Sequence, residues 1–339
     1  DGITYMMQAT KDLPLDVFFM VPSCVPATDL DEFGACLNAD DITPFYNDRR
    51  VLGLAEMMNA FGVNQADGSV LSKIKTTLEH DRIIDGHAPL LTGKELNAYA
   101  AAGIRSDHEC SNIAEAKEKL SRGQWIMIRE GTAAKNLQEL MPLFEAPYYN
   151  RILLVTDDKH PLDLLNDGHI DAIIRKAVHL GADPIRAIKA GSLNAATYFG
   201  LRDTGAIAPG YNADIVVLND LTDLHVQEVY KQGTLISERG QITTAVNSNT
   251  DSIPERVIHS FHVKKITPEQ LVIPKQGEHI RVIELHAGEL LTSERTASWN
   301  TDTSAKDWAD GINPDDDIIK IVAIVGLIVT AIIMAFSGF

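Results

Sequence analysis

The sequence predicts an α/β protein built around an incomplete (β/α)8 TIM-like barrel. Three observations carry that reading. From Val17 to Asp158, short apolar runs alternate with helical stretches, and strands separated by helices pair in parallel. His87, His108 and Arg129 follow one another at intervals of 21 residues, about one βα unit each. The runs also end in charged or imidazole side chains, and in a barrel the strand ends converge on one mouth.

Taken in order, the runs are VFFMVPS, VLGLAEM, RIIDGHAP, GIRSDHE, WIMIREG and RILLVTDD, separated by helices such as GKELNAYAAAG, NIAEAKEKL and AAKNLQELMPLF. Thr92 and Glu95 have the spacing of a capping box ahead of the first of these helices. In ADPIRAIKAGSLNAATYFGL, Asp183 takes the N-cap and Pro184 the first helical position, with a second short helix following. The β-branched runs of GAIAPGYNADIVVLNDLTDLHVQEVYKQGTLISERGQ, broken by Gly and Asn, predict a small sheet over residues 205–250. The polar stretch NSNTDSIPE reads as a linker, and IRVIELHAGELLTSE alternates as a β segment opening a third domain over 251–305. An acidic linker and hydrophobic tail fill 306–339. The tail, IIKIVAIVGLIVTAIIMAFSGF, predicts either a buried strand of a further domain or a membrane-spanning tail anchor over 318–336, because a spanning helix needs ~20 apolar residues. The opening DGITYMM has neither an initiator Met nor a signal peptide, which predicts a chain cut from something longer.

The 339 residues, 45% of them hydrophobic, suffice for a large core. A formal charge of -17 excludes a general nucleic-acid binder, which needs clustered Lys and Arg to neutralise phosphates. Three cysteines, Cys24, Cys36 and Cys110, are odd in number and widely spaced, which argues against a disulfide framework and for a reducing, cytoplasmic setting. Cys24 and Cys110 read as small buried hydrophobes. His259 and His262, beside Lys264 and Lys265 in a linker-like stretch, read as solvated.

The run ends carry Glu56, His87, His108, Arg129 and Asp157. In a shared barrel mouth, two imidazoles and two carboxylates make a first-row metal-ligand set. Glu109 beside His108 either orients that ligand or touches substrate, Arg129 reads as an ion-pair partner or a substrate contact, and His169 is a candidate for the mouth. His160 reads as a loop cap.

VLGLAEMMN, DGHAP, SDHE, MIREG, TDDKHP with DGHID after it, and GAIAPGYNADIVVL together resemble the amidohydrolase superfamily and, within it, the adenine deaminases, over about residues 1–290. The resemblance implies metal-assisted hydrolysis of adenine to hypoxanthine and ammonia, a purine-salvage reaction. It implies His87 and His108 as metal ligands from barrel strands five and six, and Glu56 as the carboxylate ligand from strand four. Asp157 is then the strand-eight carboxylate that touches metal and handles a proton, and Asp158 the group facing purine N7; Glu109 is a catalytic candidate, and Arg129 and His169 are substrate-binding candidates. The implied cofactor is a divalent metal, Mn²⁺ ahead of Fe²⁺ or Zn²⁺, binuclear in complete members, and a homo-oligomer is expected. One departure stands out: the H-x-H of the superfamily's first strand occurs nowhere in this sequence. By that count residues 1–204 hold strands three to eight, which predicts a barrel that cannot close alone. Two other readings compete: an amidohydrolase acting on another cyclic amidine or amide, such as a hydantoin or imidazolone, and a non-catalytic, membrane-attached remnant.

Overall fold

The computed structural model describes residues 1–28, 35–246, 255–258, 265–273, 277–288, 291–298, 317–325 and 328–336. His259, His262, Lys264, most of the NSNTDSIPE stretch and the acidic linker lie outside them. The chain divides into two compact units, one of residues 1–31, 35–131 and 136–254, the other of 32–34, 132–135 and 255–339.

In the first unit all six apolar runs are strands: β1 (Phe19–Val21), β2 (Val51–Met57), β3 (Ile83–Gly86), β4 (Ser106–Asp107), β5 (Trp125–Arg129) and β6 (Ile152–Val155). They form two parallel ladders, β1-β2-β3 and β4-β5-β6. Between β3 and β4 the backbones still touch, with the Arg105 amide donating to the Ile84 carbonyl at 3.0 Å. Gly86 allows that approach, since a Cβ there would stand 2.0 Å from the Ser106 carbonyl oxygen. Mixed α/β content with parallel strands in chain order is the TIM-barrel type of architecture.

Helices back the strands on one face, and the period of two along a strand sends alternate residues to opposite faces. Ile84, Leu54 and Val51 pack in one helix-side core with Ile74 and Tyr99, while Ile126, Ile128, Ile152 and Leu154 pack in another with Leu140 and Ala187. On the other face Met127 and Leu153 meet Tyr198. Asp183 caps the helix Pro184–Gly191 by accepting from the Arg186 amide at 3.0 Å. Thr92 also stands at an N-cap, but its side chain makes no cap bond. The first helical amide, Gly93, donates to Glu118 of the next helix, so this helix start draws on a tertiary partner. The predicted helix AAKNLQELMPLF shrinks to Leu137–Leu140 and a 3₁₀ turn at Met141–Phe144, since Pro142 lacks the amide that an α-helix would use. Cys110 is buried, whereas Cys24 is half-exposed.

Four antiparallel strands follow in the same unit, β7 (Ile215–Leu218), β8 (Val226–Lys231), β9 (Thr234–Glu238) and β10 (Gln241–Ile242), in the order β10-β9-β8-β7. The second unit is a four-stranded sheet ordered β12-β11-β14-β13, from β11 (His279–Leu285), β12 (Ser293–Ser298), β13 (Ile318–Val325) and β14 (Ile328–Phe336). The hydrophobic tail therefore folds as an antiparallel pair of strands, with Ile318 opposite Ala335 and Val325 opposite Ile328. The tail-anchor alternative is not supported: among the described residues no helix is long and apolar enough to cross a membrane. The many Ile and Val residues of this run are compatible with that outcome, since β-branched side chains fit a pleated surface.

Candidate metal centre

Three strand ends bring Glu56, His87 and His108 together. Glu56 is the penultimate residue of β2, while His87 and His108 directly follow β3 and β4. Their facing atoms form a small triangle. His87 Nδ1 and His108 Nε2 each lie 3.1 Å from Glu56 Oε2 and 3.3 Å from one another. Glu109 Oε1 lies close by, 3.5 Å from His87 Nδ1 and 3.4 Å from His108 Nε2.

Two ring nitrogens this close can share only one proton, so a set of lone pairs is aimed at one point. The hydrogen bonds from His108 and then His87 hold the Glu56 carboxyl down at about 2. Burial opposes charge on His108, but the bond to Glu56 and the carboxylates of Asp107 and Glu109 outweigh it and raise its pKa above the ordinary value. A tetrahedral ion with ligand bonds of about 2.0–2.1 Å keeps its donors about 3.3 Å apart, close to the spacings found here. The donor set therefore fits a divalent first-row metal, two imidazoles and one carboxylate with room for further ligands. The Glu56 side chain is 42% exposed, which leaves the group open to solvent.

Glu109 does not join the triangle as a free base. Both its oxygens are taken by Arg129 at the end of β5, through Nη1 and, at 3.0 Å, Nη2. Both residues are buried, and the two-pronged geometry is the strong form of a carboxylate–guanidinium pair. Arg129 Nη1 also lies 3.5 Å from Asp157 Oδ2, so the structure links Asp157 to the histidines through Arg129 and Glu109. Asp157 follows β6 with φ at 50°, the left-handed region that Asp tolerates better than most residues. Asp158 folds against Gly131, where a Cβ would stand 1.9 Å from its Oδ1. His169 sits at the N-cap of helix Ile170–His179, its amide donating to Asp171; burial and then Lys159 lower its pKa, against Asp171. His160 is the N-cap of helix Pro161–Asn166, without a side-chain cap bond.

Three features escaped the sequence reading. Tyr198 donates to Asp85, and Ser106, whose hydroxyl lies 3.0 Å from the Tyr198 oxygen, donates to Asp85 as well, on the strand face that carries the histidines. Burial pushes the Asp85 carboxyl up to about 6, against those hydrogen bonds. Lys119 is buried with Asp107 and Glu115 on the helix side of β4. A cavity of about 820 Å³ opens beside Arg50 and Arg202, at the end of the strands away from the triangle, since Arg50 immediately precedes β2. Only the period of two around His108 hinted at any of these, by sending Asp107 to the opposite face.

With this geometry in view, similarity to known proteins becomes decisive. Residues 1–236 match the family described as the amidohydrolase family. The chain belongs to that family. Membership implies a divalent metal. Among curated relatives it is 45% identical to an adenine deaminase of Dehalococcoides mccartyi and 41% identical to one of Kosmotoga olearia, each over 96% of this chain and 55% of the relative. The chain thus spans about half the length of the curated relatives it matches. A beta-aspartyl dipeptidase structure from Fervidobacterium islandicum matches with a TM-score of 0.50 at 14% identity, over 72% of this chain and 71% of that one, a likeness of fold.

Proposed function

We propose that this chain carries the adenine-recognising part of an adenine deaminase, the enzyme that hydrolyses adenine to hypoxanthine and ammonia. The observation that carries the reading is the triangle of Glu56, His87 and His108, two imidazole nitrogens each 3.1 Å from one carboxylate oxygen. The adenine deaminase relatives direct it to a purine substrate. We read residues 1–204 as strands three to eight of the barrel, 205–250 as the small β-sheet domain, 251–305 as the start of a C-terminal domain and 306–339 as linker and tail. On this reading the first-strand H-x-H of the second metal position is supplied from outside this sequence, and a binuclear Mn²⁺ site, with Fe²⁺ or Zn²⁺ as substitutes, belongs to the complete cytoplasmic homo-oligomer.

When bound, a divalent ion supplies Lewis acidity that lowers the pKa of water from ~15.7 to ~7. Glu56, His87 and His108 would hold it, and Asp157, which stands beside Arg129, would be the further donor. Asp157 takes a proton at Oδ2 and returns it to the departing amine, general acid–base work of roughly 10²–10⁴ in rate. Asp158 orients the ring at N7. Arg129 holds Glu109 in a two-pronged pair beside the imidazoles, and His169 closes the substrate side.

Binding of Mn²⁺ is measured by equilibrium dialysis, and adenine, a hydantoin and an imidazolone are offered by calorimetry and followed by chromatography. Adenine binding that Asp158→Asn weakens, with Mn²⁺ retention that His108→Ala abolishes, is the expected result. Binding or turnover confined to the hydantoin or imidazolone would remove adenine as substrate. A chain that holds no Mn²⁺ would remove the metal site.

A further inference from the structure

Behind the two histidines lies a second group of metal-type donors. Asp107, Cys110 and Glu115 present ligand atoms within 4.8 Å of one another, all three residues buried. A cation is already there. Lys119 Nζ donates to Asp107 Oδ2 at 2.9 Å, to Glu115 Oε1 at 2.7 Å and to the Ala88 carbonyl at 2.6 Å, and its side chain is fully buried. Glu115 and Lys119 stand four residues apart on helix Ile113–Ser121, hence on one face. The ammonium bonds to two of the three ligand residues, so this group has no need of a metal.

The backbone bonds of the network matter more than its charges. Asp107 Oδ1 accepts the amide of Ala88 at 2.7 Å, and Oδ2 accepts the amide of Glu109 at 3.1 Å. Ala88 follows His87, and Glu109 follows His108. One carboxylate therefore grips the chain immediately after each imidazole. Lys119 holds Ala88 on its other side, through the carbonyl of the following peptide, and Glu115 Oε1 accepts the next amide of that loop, Leu90, at 2.8 Å.

We propose that Lys119 is a positioning residue for the metal centre: with Asp107 it ties the backbone after β3 to the backbone after β4, and so sets the spacing of the His87 and His108 rings. The inference rests on reading Glu56, His87 and His108 as cation donors. The nearest atoms of the rings stand 3.3 Å apart across two loops that the ladders do not join. The Arg105–Ile84 backbone bond and the bond from the Gly86 amide to Ser106 Oγ join the two strands further back, and the clamp joins the loops that follow them. Partners that orient metal-binding histidines govern affinity although they never touch the ion.

The test removes the clamp without stranding charge. A triple variant, Lys119→Met with Asp107→Asn and Glu115→Gln, leaves no buried ion unpaired, and Lys119→Arg keeps the charge while displacing the donor. Two quantities are read on each: Co²⁺ affinity from the visible absorption of the bound ion, and hydrogen exchange of individual amides in the metal-free protein. The expected result is Co²⁺ binding weakened by roughly 10–100-fold, the range for lost outer partners. Exchange at Ala88, Leu90 and Glu109 should quicken by about tenfold or more, while strand amides of β2 and β5 keep their protection. Wild-type Co²⁺ affinity in a folded variant, or exchange raised equally across all strands, would overturn the proposal. If the triple variant does not fold, Lys119→Arg decides by the same two readings. A wild-type chain that binds no Co²⁺, or a His108→Ala variant that binds it equally well, would instead sink the metal centre. The three amides then still show whether the clamp exists.

Discussion

Two clusters of metal-type donors lie back to back across β4, and only one of them is open to a guest. On the helix side, Asp107 and Glu115 meet Lys119, with all three side chains at most 4% exposed. On the other side, Glu56 meets His87 and His108 with its side chain 42% exposed. The buried cluster contains its own cation and its acceptors are bonded; the open one presents lone pairs to a shared centre. Burying ions is tolerable only where they are paired and hydrogen-bonded. The contrast teaches that a metal centre is marked less by its carboxylates and imidazoles than by the absence of an internal cation among them. Lys119 illustrates the cost of the closed solution: burial alone would lower its pKa, yet Asp107 and the neighbouring acids hold it above its ordinary value.

The largest test of this contrast is Lys119→Met alone. It leaves Asp107 and Glu115 buried without a counter-ion and should cost about 3–5 kcal/mol in urea unfolding, whereas Glu56→Gln, on the open side, should cost much less. Similar losses for the two variants would erase the distinction between the clusters.

Gly86→Ala comes next. A methyl group 2.0 Å from the Ser106 carbonyl must push β3 from β4, and overpacking of this kind costs about 1–3 kcal/mol. The same displacement separates His87 from His108, so metal affinity measured by dialysis should fall together with stability. Retained affinity in a destabilised protein would mean that ring spacing does not depend on this contact.

The smallest effect is that of pH. The Glu56 carboxyl is held at about 2 in the folded metal-free chain against an ordinary 4.5. A depressed carboxylate contributes stability above its unfolded pKa and loses it as pH falls through the folded value. Metal-free protein should therefore show a modest decline between about pH 4.5 and 2 that Glu56→Gln flattens, recorded by circular dichroism. Unchanged acid unfolding in that variant would show that the two imidazoles do not hold the carboxylate.

The six strands, the small sheet and the strand-end positions of Glu56, His87 and His108 were legible along the chain, because each rests on a local signal; the fourth candidate ligand, Asp157, stands against Arg129 and outside the group those three form. Apolar runs with β-branched residues, turn residues between them and polar groups at the run ends are visible without any partner. The Arg129–Glu109 pair was half legible, since both stand at run ends, but the sequence left open whether either touches substrate. The hydrophobic tail remained ambiguous, because strand and spanning helix demand much the same composition.

The order of residues by itself determined that the chain alternates strand and helix, that it belongs with amidohydrolases, and that Glu56, His87 and His108 fall at successive strand ends. Only the tertiary structure decided which acids are gripped by a lysine and which stand open, since Asp107 and His108 are neighbours whose side chains leave the strand in opposite directions. Lys119 reaches Asp107 and Ala88 across 12 and 31 positions, and no local pattern encodes contacts of that range. They follow from packing the helix against the sheet, where a buried charge must find every partner it needs.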